Sequence, residues 1–243
     1  MDSPLTIPKM RKPETVEELQ EVGRQRLYPS LRDPNWLILR RRRQLFQAWL
    51  TGLPTHAPSV LDVGGRIQPY RPLIPAKPER YVAVDLLPTA LVNVIARGEQ
   101  LPLASESFDL TFCTQMLEYP PEPARVIAEI YRVLKPGGVL LLSVPSLSMR
   151  HLGETCWRFW PTGIRHLLAG FSEVEVVPEG GSIAGFFRTM NSGMQLFAKY
   201  PLIRAVLGFT VIPFLNLTGF ALENLAHSDN DVFTANYSVF ARK

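Results

Sequence analysis

Ser59-Val60-Leu61-Asp62-Val63-Gly64-Gly65-Arg66, followed by Arg80-Tyr81-Val82-Ala83-Val84-Asp85, is the stretch that decides the fold. Val60, Leu61 and Val63, then Tyr81 to Val84, are apolar and mostly β-branched or aromatic, as in short strands covered on both faces. Gly64-Gly65 ends the first run, because glycine enters left-handed turns cheaply and lets another molecule approach the backbone. Asp85 closes the second run. Open parallel sheets bind ligands just past the carboxyl ends of their strands, and a carboxylate there can accept both hydroxyls of a ribose. The pair of runs therefore reads as a cradle for a nucleoside cofactor.

Working outward, Thr89–Val92 reads as a short connecting helix and 92–96 as a third strand, followed by a loop over 100–108 and a fourth strand over 109–114. Pro123 to Leu134 has helical spacing with Pro in its first turn. Lys135-Pro136-Gly137-Gly138 ends that helix. Val139–Val144 fits a fully buried fifth strand, Val174–Val177 a further one, and 235–241 alternates like a last strand. Strands alternating with helices imply right-handed βαβ units and a parallel sheet, an α/β fold.

Upstream, residues 1–52 read as an N-terminal arm and helical cap, and 53–243 as the main domain, with a hydrophobic helical insertion at about 183–228. Thr15 and Glu18 fit a capping box over a helix to Gln25. Asn35 is placed to cap a helix from Trp36 to Thr51, which carries the run Arg40–Arg43. That run suits either a solvated face or contact with phosphates or anionic lipid. Residues 162–169 read as a short helix capped by Thr162.

Hydrophobic residues make up 46% and charged residues 20% of the 243, enough for a substantial core, with a net charge of +4. Cys113 and Cys156 are far apart and Cys113 sits in an apolar run, so a buried thiol in a reducing cytoplasm is expected. The first residues lack a signal-peptide pattern. No metal set is assigned, since His227 to Asp231 lacks the full calcium-loop pattern. Residues 205–222 carry no charge. A membrane span needs roughly 20 apolar residues, but Pro213, Asn216 and Thr218 argue for a helical hairpin that covers the pocket or dips into a membrane surface. With the arginine run, this predicts a protein peripheral at the membrane.

Several blocks together resemble the class I S-adenosylmethionine-dependent methyltransferases, in the ubiquinone/menaquinone-type small-molecule group. They are Val60–Gly65, Val84-Asp85, Glu99-Gln100-Leu101-Pro102-Leu103, Ser107-Phe108-Asp109-Leu110, Gln115-Met116-Leu117-Glu118 and Leu134-Lys135-Pro136-Gly137-Gly138. The resemblance implies a Rossmann-like three-layer sandwich with a seven-stranded, mostly parallel sheet and an antiparallel last strand. It also implies S-adenosyl-L-methionine as cofactor. Asp62, Val63, Gly64 and Gly65 would shape the loop under its methionine part, Asp85 would hold the ribose, and Leu86 would flank the adenine. Glu99 and Gln100 would lie near the adenine edge and Gln115 by the methionine end. Arg66 stands where the family usually has a second glycine; its guanidinium either obstructs the cofactor or grips the cofactor's carboxylate. Arg97-Gly98 and Tyr119 also depart from the usual pattern.

On the acceptor side, His151 and Tyr119 are candidate bases for an acceptor that must lose a proton. The segment Cys156-Trp157-Arg158-Phe159-Trp160-Pro161 resembles a subgroup associated with cell-surface polysaccharide or lipid-linked glycans. There Trp157 would stack on a sugar and Arg158 would pair with a phosphate or carboxylate. The expected activity is O-methylation of a small-molecule, sugar or lipid-linked glycan acceptor. The alternative is a non-catalytic protein of this fold acting as a binding or scaffolding partner. A dinucleotide site is disfavoured because no third glycine follows Gly64-Gly65. Nucleic acid is disfavoured because no Asn-Pro-Pro-Tyr-type block follows strand four.

Overall fold

The computed structural model describes residues 15–53, 58–149, 156–226 and 230–243. Its centre is a seven-stranded sheet of β1 (Ser59–Val63), β2 (Arg80–Asp85), β3 (Val94–Ile95), β4 (Phe108–Thr114), β5 (Leu134–Pro145), β6 (Glu173–Pro178) and β7 (Asn236–Arg242). The order is β3-β2-β1-β4-β5-β7-β6. β7 runs antiparallel to both β5 and β6, and the other pairings are parallel. Val63 is level with Val84 and with Cys113, which in turn is level with Leu142. One edge of the sheet therefore presents Gly64, Asp85, Thr114 and Ser143 together, where the strand order reverses between β1 and β4. Open α/β sheets place their ligands at such a switch point.

The period of two along the strands divides the core. Leu140, Leu142 and Val144 of β5 join one cluster, with Val126, Ile127, Ile130 and Val133 of α3 (Pro123–Val133). Val139 and Leu141 join the other, with Phe46 and Leu50 of α2 (Trp36–Thr51) and with Tyr70, Phe112 and Phe240. α2 thus covers the second face of the sheet. Before it, α1 (Val16–Leu27) begins with the expected capping box, Glu18 N–H donating to Thr15 Oγ1 and Thr15 N–H to Glu18 Oε2. α4 (Pro161–Leu167) follows β5 and starts with Pro161, one residue before Thr162.

Three local expectations are corrected. Residues 89–92 form a single turn, because the Asn93 side chain and N–H both pair with Ala83 and pull the chain back into the sheet edge. β5 starts at Leu134; Gly137, with φ +76°, lets the chain turn within the strand. Asn35 makes no side-chain cap, since its Oδ1 accepts from Arg188 instead.

The arginine run does not form one basic face. Arg42 is fully buried, Arg40 stacks over Trp36 and Phe220, Arg43 lies over Tyr28, and Arg41 faces solvent. Residues 205–222 do not form a hairpin either. α6 (Pro201–Val206), a π-turn over Leu207–Val211 and α7 (Ile212–Ala226) make one continuous rod packed on α5 (Ser182–Met194). Proline in a regular helix collides with the carbonyl four residues back; the wider turn, with Ile212 N–H bonded to Leu207, accommodates Pro213.

Arg42 grips Glu179 with both oxygens at 2.7 Å, and Tyr70 at 3.2 Å. Ser143 and Ser238 hydroxyls also donate to Glu179, at 2.7 and 2.6 Å. Burial opposes the Arg42 charge, but Glu179 and Tyr70 outweigh it and its pKa rises. Removing one member leaves a buried charge uncompensated, at about 3–5 kcal/mol. Urea unfolding of Glu179→Gln should show a loss of that size, and Arg42→Met/Glu179→Gln should cost less than the sum of its single changes.

Candidate cofactor and acceptor site

The loop after β1 is built from beneath. Gly64 adopts φ +81°, and the amides of Gly64 and Gly65 donate to the Val84 carbonyl at 2.8 and 3.3 Å. A Cβ on Gly65 would stand 2.6 Å from Asp62 Cγ, so the Asp62 carboxyl lies directly under the loop. Asp62 is 4% exposed and accepts from the Tyr81 hydroxyl at 2.7 Å. Burial pushes its pKa up to about 7; the Tyr81 bond opposes the shift and the Asp85 charge adds to it. Val63 is in the core and offers the loop only its backbone.

At the end of β2 Asp85 is half-buried, with Oδ1 accepting from Leu87 N–H at 2.9 Å. Its other oxygen suits a hydroxyl, as a ribose would supply. Leu86 is 58% exposed beside it. Glu99 is half-buried and Gln100 exposed on the turn closed by Gln100 N–H and the Arg97 carbonyl. Arg66 points to solvent, and its carbonyl accepts from Thr89 Oγ1 at 3.4 Å.

Gln115 sits at the mouth of β4 with φ +52°, a conformation costly for a side-chain-bearing residue and concentrated at functional sites. Its amide nitrogen donates to Ser143 Oγ at 3.1 Å, and Asn236, with its oxygen turned to the donors, accepts from it at 2.8 Å and from Arg42 at 3.0 Å. The Gln115 side chain thus reaches down to the Arg42–Glu179 network. The neighbouring Met116 crosses the space between the β1 loop and the chain after β3. A Cβ at Gly64 would lie 2.9 Å from Met116 Cβ, and one at Gly98 2.9 Å from Met116 Cε.

Two residues further on is Glu118, 3% exposed, with Oε2 buried and unpartnered among the described residues. Burial pushes its pKa up to about 7; its own amide and the charges of Arg42, Arg158 and Arg26 pull the other way. Its carbonyl accepts from Cys156 and Trp157 N–H at 2.8 and 3.1 Å, which straps the segment after β5 across the end of β4. Trp157 is 43% exposed and donates its ring N–H to the Pro120 carbonyl at 3.0 Å. Tyr119 is 42% exposed; burial and Glu118 raise its pKa, while Arg26, Arg158 and Arg66 lower it.

Two guanidinium groups lie here without a carboxylate partner among the described residues. Arg158 donates only to the carbonyls of Trp157, Met149 and Ser148. Arg188 donates to Asn35 Oδ1 and Ser148 Oγ. Burial, with the like charge of Arg42, brings the pKa of Arg188 down to about 10. His151 lies outside the described residues.

Reasoning from sequence missed Met116, Glu118 and Arg188 as site residues. Glu118 carries a readable signal, a lone acid inside the otherwise apolar turn Met116-Leu117-Glu118-Tyr119 after β4. Arg188 is the lone cation between Glu179 and Lys199, but its approach to Ser148 depends on how α5 packs. The arrangement joins a glycine loop and strand-end carboxylate to a buried proton acceptor and two cations that suit an anion.

Comparison with known proteins places this geometry. Residues 61–142, from β1 into β5, match the Methyltransf_11 family, a methyltransferase domain. A ubiquinone biosynthesis O-methyltransferase of Pseudomonas putida is 44% identical over 52 residues, 21% of each chain. An uncharacterized methyltransferase of Mycobacterium leprae is 30% identical over 109 residues, 39% of this chain and 40% of that one. The matched segment thus spans well under half of these curated relatives. Among solved structures, the [4+2]-cyclase SpnF superposes with a TM-score of 0.51 at 17% identity, covering 96% of this chain and 98% of that one. A putative sarcosine dimethylglycine methyltransferase from Galdieria sulphuraria gives 0.51 at 13% identity, with 84% and 88% covered. Residues 61–142 are therefore similar to a methyltransferase domain, and the chain as a whole has the α/β fold of these solved structures.

Proposed function

We propose that the protein transfers a methyl group from S-adenosylmethionine to an oxygen of an acceptor that bears a phosphate or carboxylate, a small glycan or lipid-linked glycan being the best fit. The observation that carries this is Glu118, a buried carboxyl with an unpartnered oxygen and a pKa of about 7, lying within electrostatic reach of Arg158. The O-methyltransferase likeness over 52 residues supports oxygen as the atom methylated, and the two cations support an anionic acceptor.

The residues present fit the cofactor. The loop of Gly64 and Gly65, the half-buried Asp85, exposed Leu86, and Glu99 and Gln100 would hold it, with the exposed Arg66 beside the loop. When bound it supplies a methyl group already activated on a sulfonium. What remains for the protein is alignment and removal of a proton. Glu118 Oε2 would accept the proton of the acceptor hydroxyl. Arg158 and Arg188 would bind its anionic group, since planar guanidinium forks suit phosphate and carboxylate oxygens. Trp157 would stack on a sugar ring. Tyr119 and His151 remain candidate bases alongside Glu118.

Incubation with methyl-labelled S-adenosylmethionine and lipid-linked glycan extracts should label an anionic glycan lipid. Glu118→Gln should lower that transfer by about 10²–10⁴-fold and remove a rise in rate through about pH 7. No labelled product, or full activity in Glu118→Gln, would overturn the reading. Glu118 and Asp62 both have folded-state pKa values raised to about 7. Their stabilising contributions are therefore complete below the ordinary carboxylate range and lost as pH rises through 7. Thermal unfolding of the wild type should show falling stability from about pH 4 to about pH 7 and a levelling above it, and Glu118→Gln should remove about half of that slope.

A further inference from the structure

The rod from Pro201 to Ala226 has the length and composition of a membrane span, with mean hydropathy 1.8, yet only 28% of its most apolar window is buried. At about 1.5 Å per residue it is about 39 Å long. Its outward stripe consists of Leu202, Val206, Phe209, Phe214, Leu217 and Leu225, each at least half exposed, Leu202 and Leu225 at 77%. Soluble surfaces rarely leave so continuous an apolar face uncovered. An open apolar groove of about 670 Å³, lined by Ile183, Phe186, Phe187, Leu222, Leu225 and Phe233, adjoins its C-terminal end.

The exposed cations near this face are Arg32, Lys199 and Arg204, and the acid of the rod, Glu223, is turned inward. From Ser182 to Leu222 the chain contains Arg188, Lys199 and Arg204 and no acid. Arg32 lies 4.0 Å over Phe209, and Arg40 lies 4.5 Å over Phe220. An apolar, aromatic stripe rimmed by Lys and Arg is the composition of a helix lying in the headgroup region of an anionic bilayer. The inner side of the rod is committed to protein. Asn216 is buried, donating to the Leu31 and Asp33 carbonyls and accepting from Asn191. Glu223 accepts from the amides of Gly181 and Ala184 at the start of α5. Leaving the domain to span a bilayer would strip those buried polar groups of their partners.

We infer that the α6–α7 face is a docking surface for an anionic lipid bilayer, with the rod lying in the plane of the interface. The inference is independent of the transfer reaction. It places the helical layer that carries Arg188 against the membrane.

Flotation with phosphatidylcholine vesicles, with and without phosphatidylglycerol, tests it on the full chain. Wild-type protein should float with the anionic vesicles, with binding weakened by salt. Leu202→Glu/Phe214→Glu and Lys199→Gln/Arg204→Gln should each reduce binding by about tenfold or more. Binding of S-adenosylhomocysteine, measured in parallel, should stay unchanged and so separates this face from the cofactor site. Absence of wild-type flotation would overturn the inference, as would equal flotation of the variants. A wild-type dimer that Leu202→Glu/Phe214→Glu converts to monomer, without lipid binding by either, would assign the face to a second copy and overturn it too.

Discussion

The site rests on a buried ion pair. Arg42 comes from α2 and Glu179 from just past β6, while the groups around them, Ser143, Ser238, Asn236 and Gln115, come from β5, β7 and the end of β4. A charge pair removed from water is tolerable only when its hydrogen bonds are satisfied, and here Tyr70 and two serines complete the shell. The pair fixes the helix on one face of the sheet and also holds Gln115 in its strained conformation at the mouth of β4. Met116 and Glu118 follow directly, so their positions depend on the same anchor.

That anchor sorts the charges of the site. Glu179 neutralises Arg42, whereas among the described residues the hydrogen bonds of Arg158 and Arg188 go only to carbonyls, an amide and a hydroxyl. Arg42 also helps hold the pKa of Arg188 down. A cation kept short of counter-charge in a partly buried place favours an incoming anion. Glu118, buried with one oxygen unmatched, favours an incoming hydroxyl proton. Cofactor-side and acceptor-side groups meet because β1, β2 and β4 end level with one another.

The sheet was legible because its strands are short, apolar and bounded by glycine or acid, and the blocks from Val60 to Gly138 resemble one family. The places of Asp85 at the end of β2 and of the glycine loop after β1 were legible for the same reason. Arg42 was not, because a guanidinium inside a run of four arginines reads as surface until Glu179, 137 positions away, is brought beside it. Arg188 and Asn35 were hidden likewise, the asparagine reading as a cap while serving a distant arginine. The rod over 201–226 was legible as apolar but not as straight, since Pro213 signals a break and a π-turn instead absorbs it.

The central claim is that an adenosine-bearing cofactor sits against the β1 loop with its ribose on Asp85. Calorimetric titration with S-adenosylhomocysteine tests it most directly. The account predicts one site of about micromolar affinity, with at least a tenfold loss in Asp85→Ala and unaltered thermal unfolding of the variant. No heat of binding to the wild type, or equal affinity in Asp85→Ala, would contradict it.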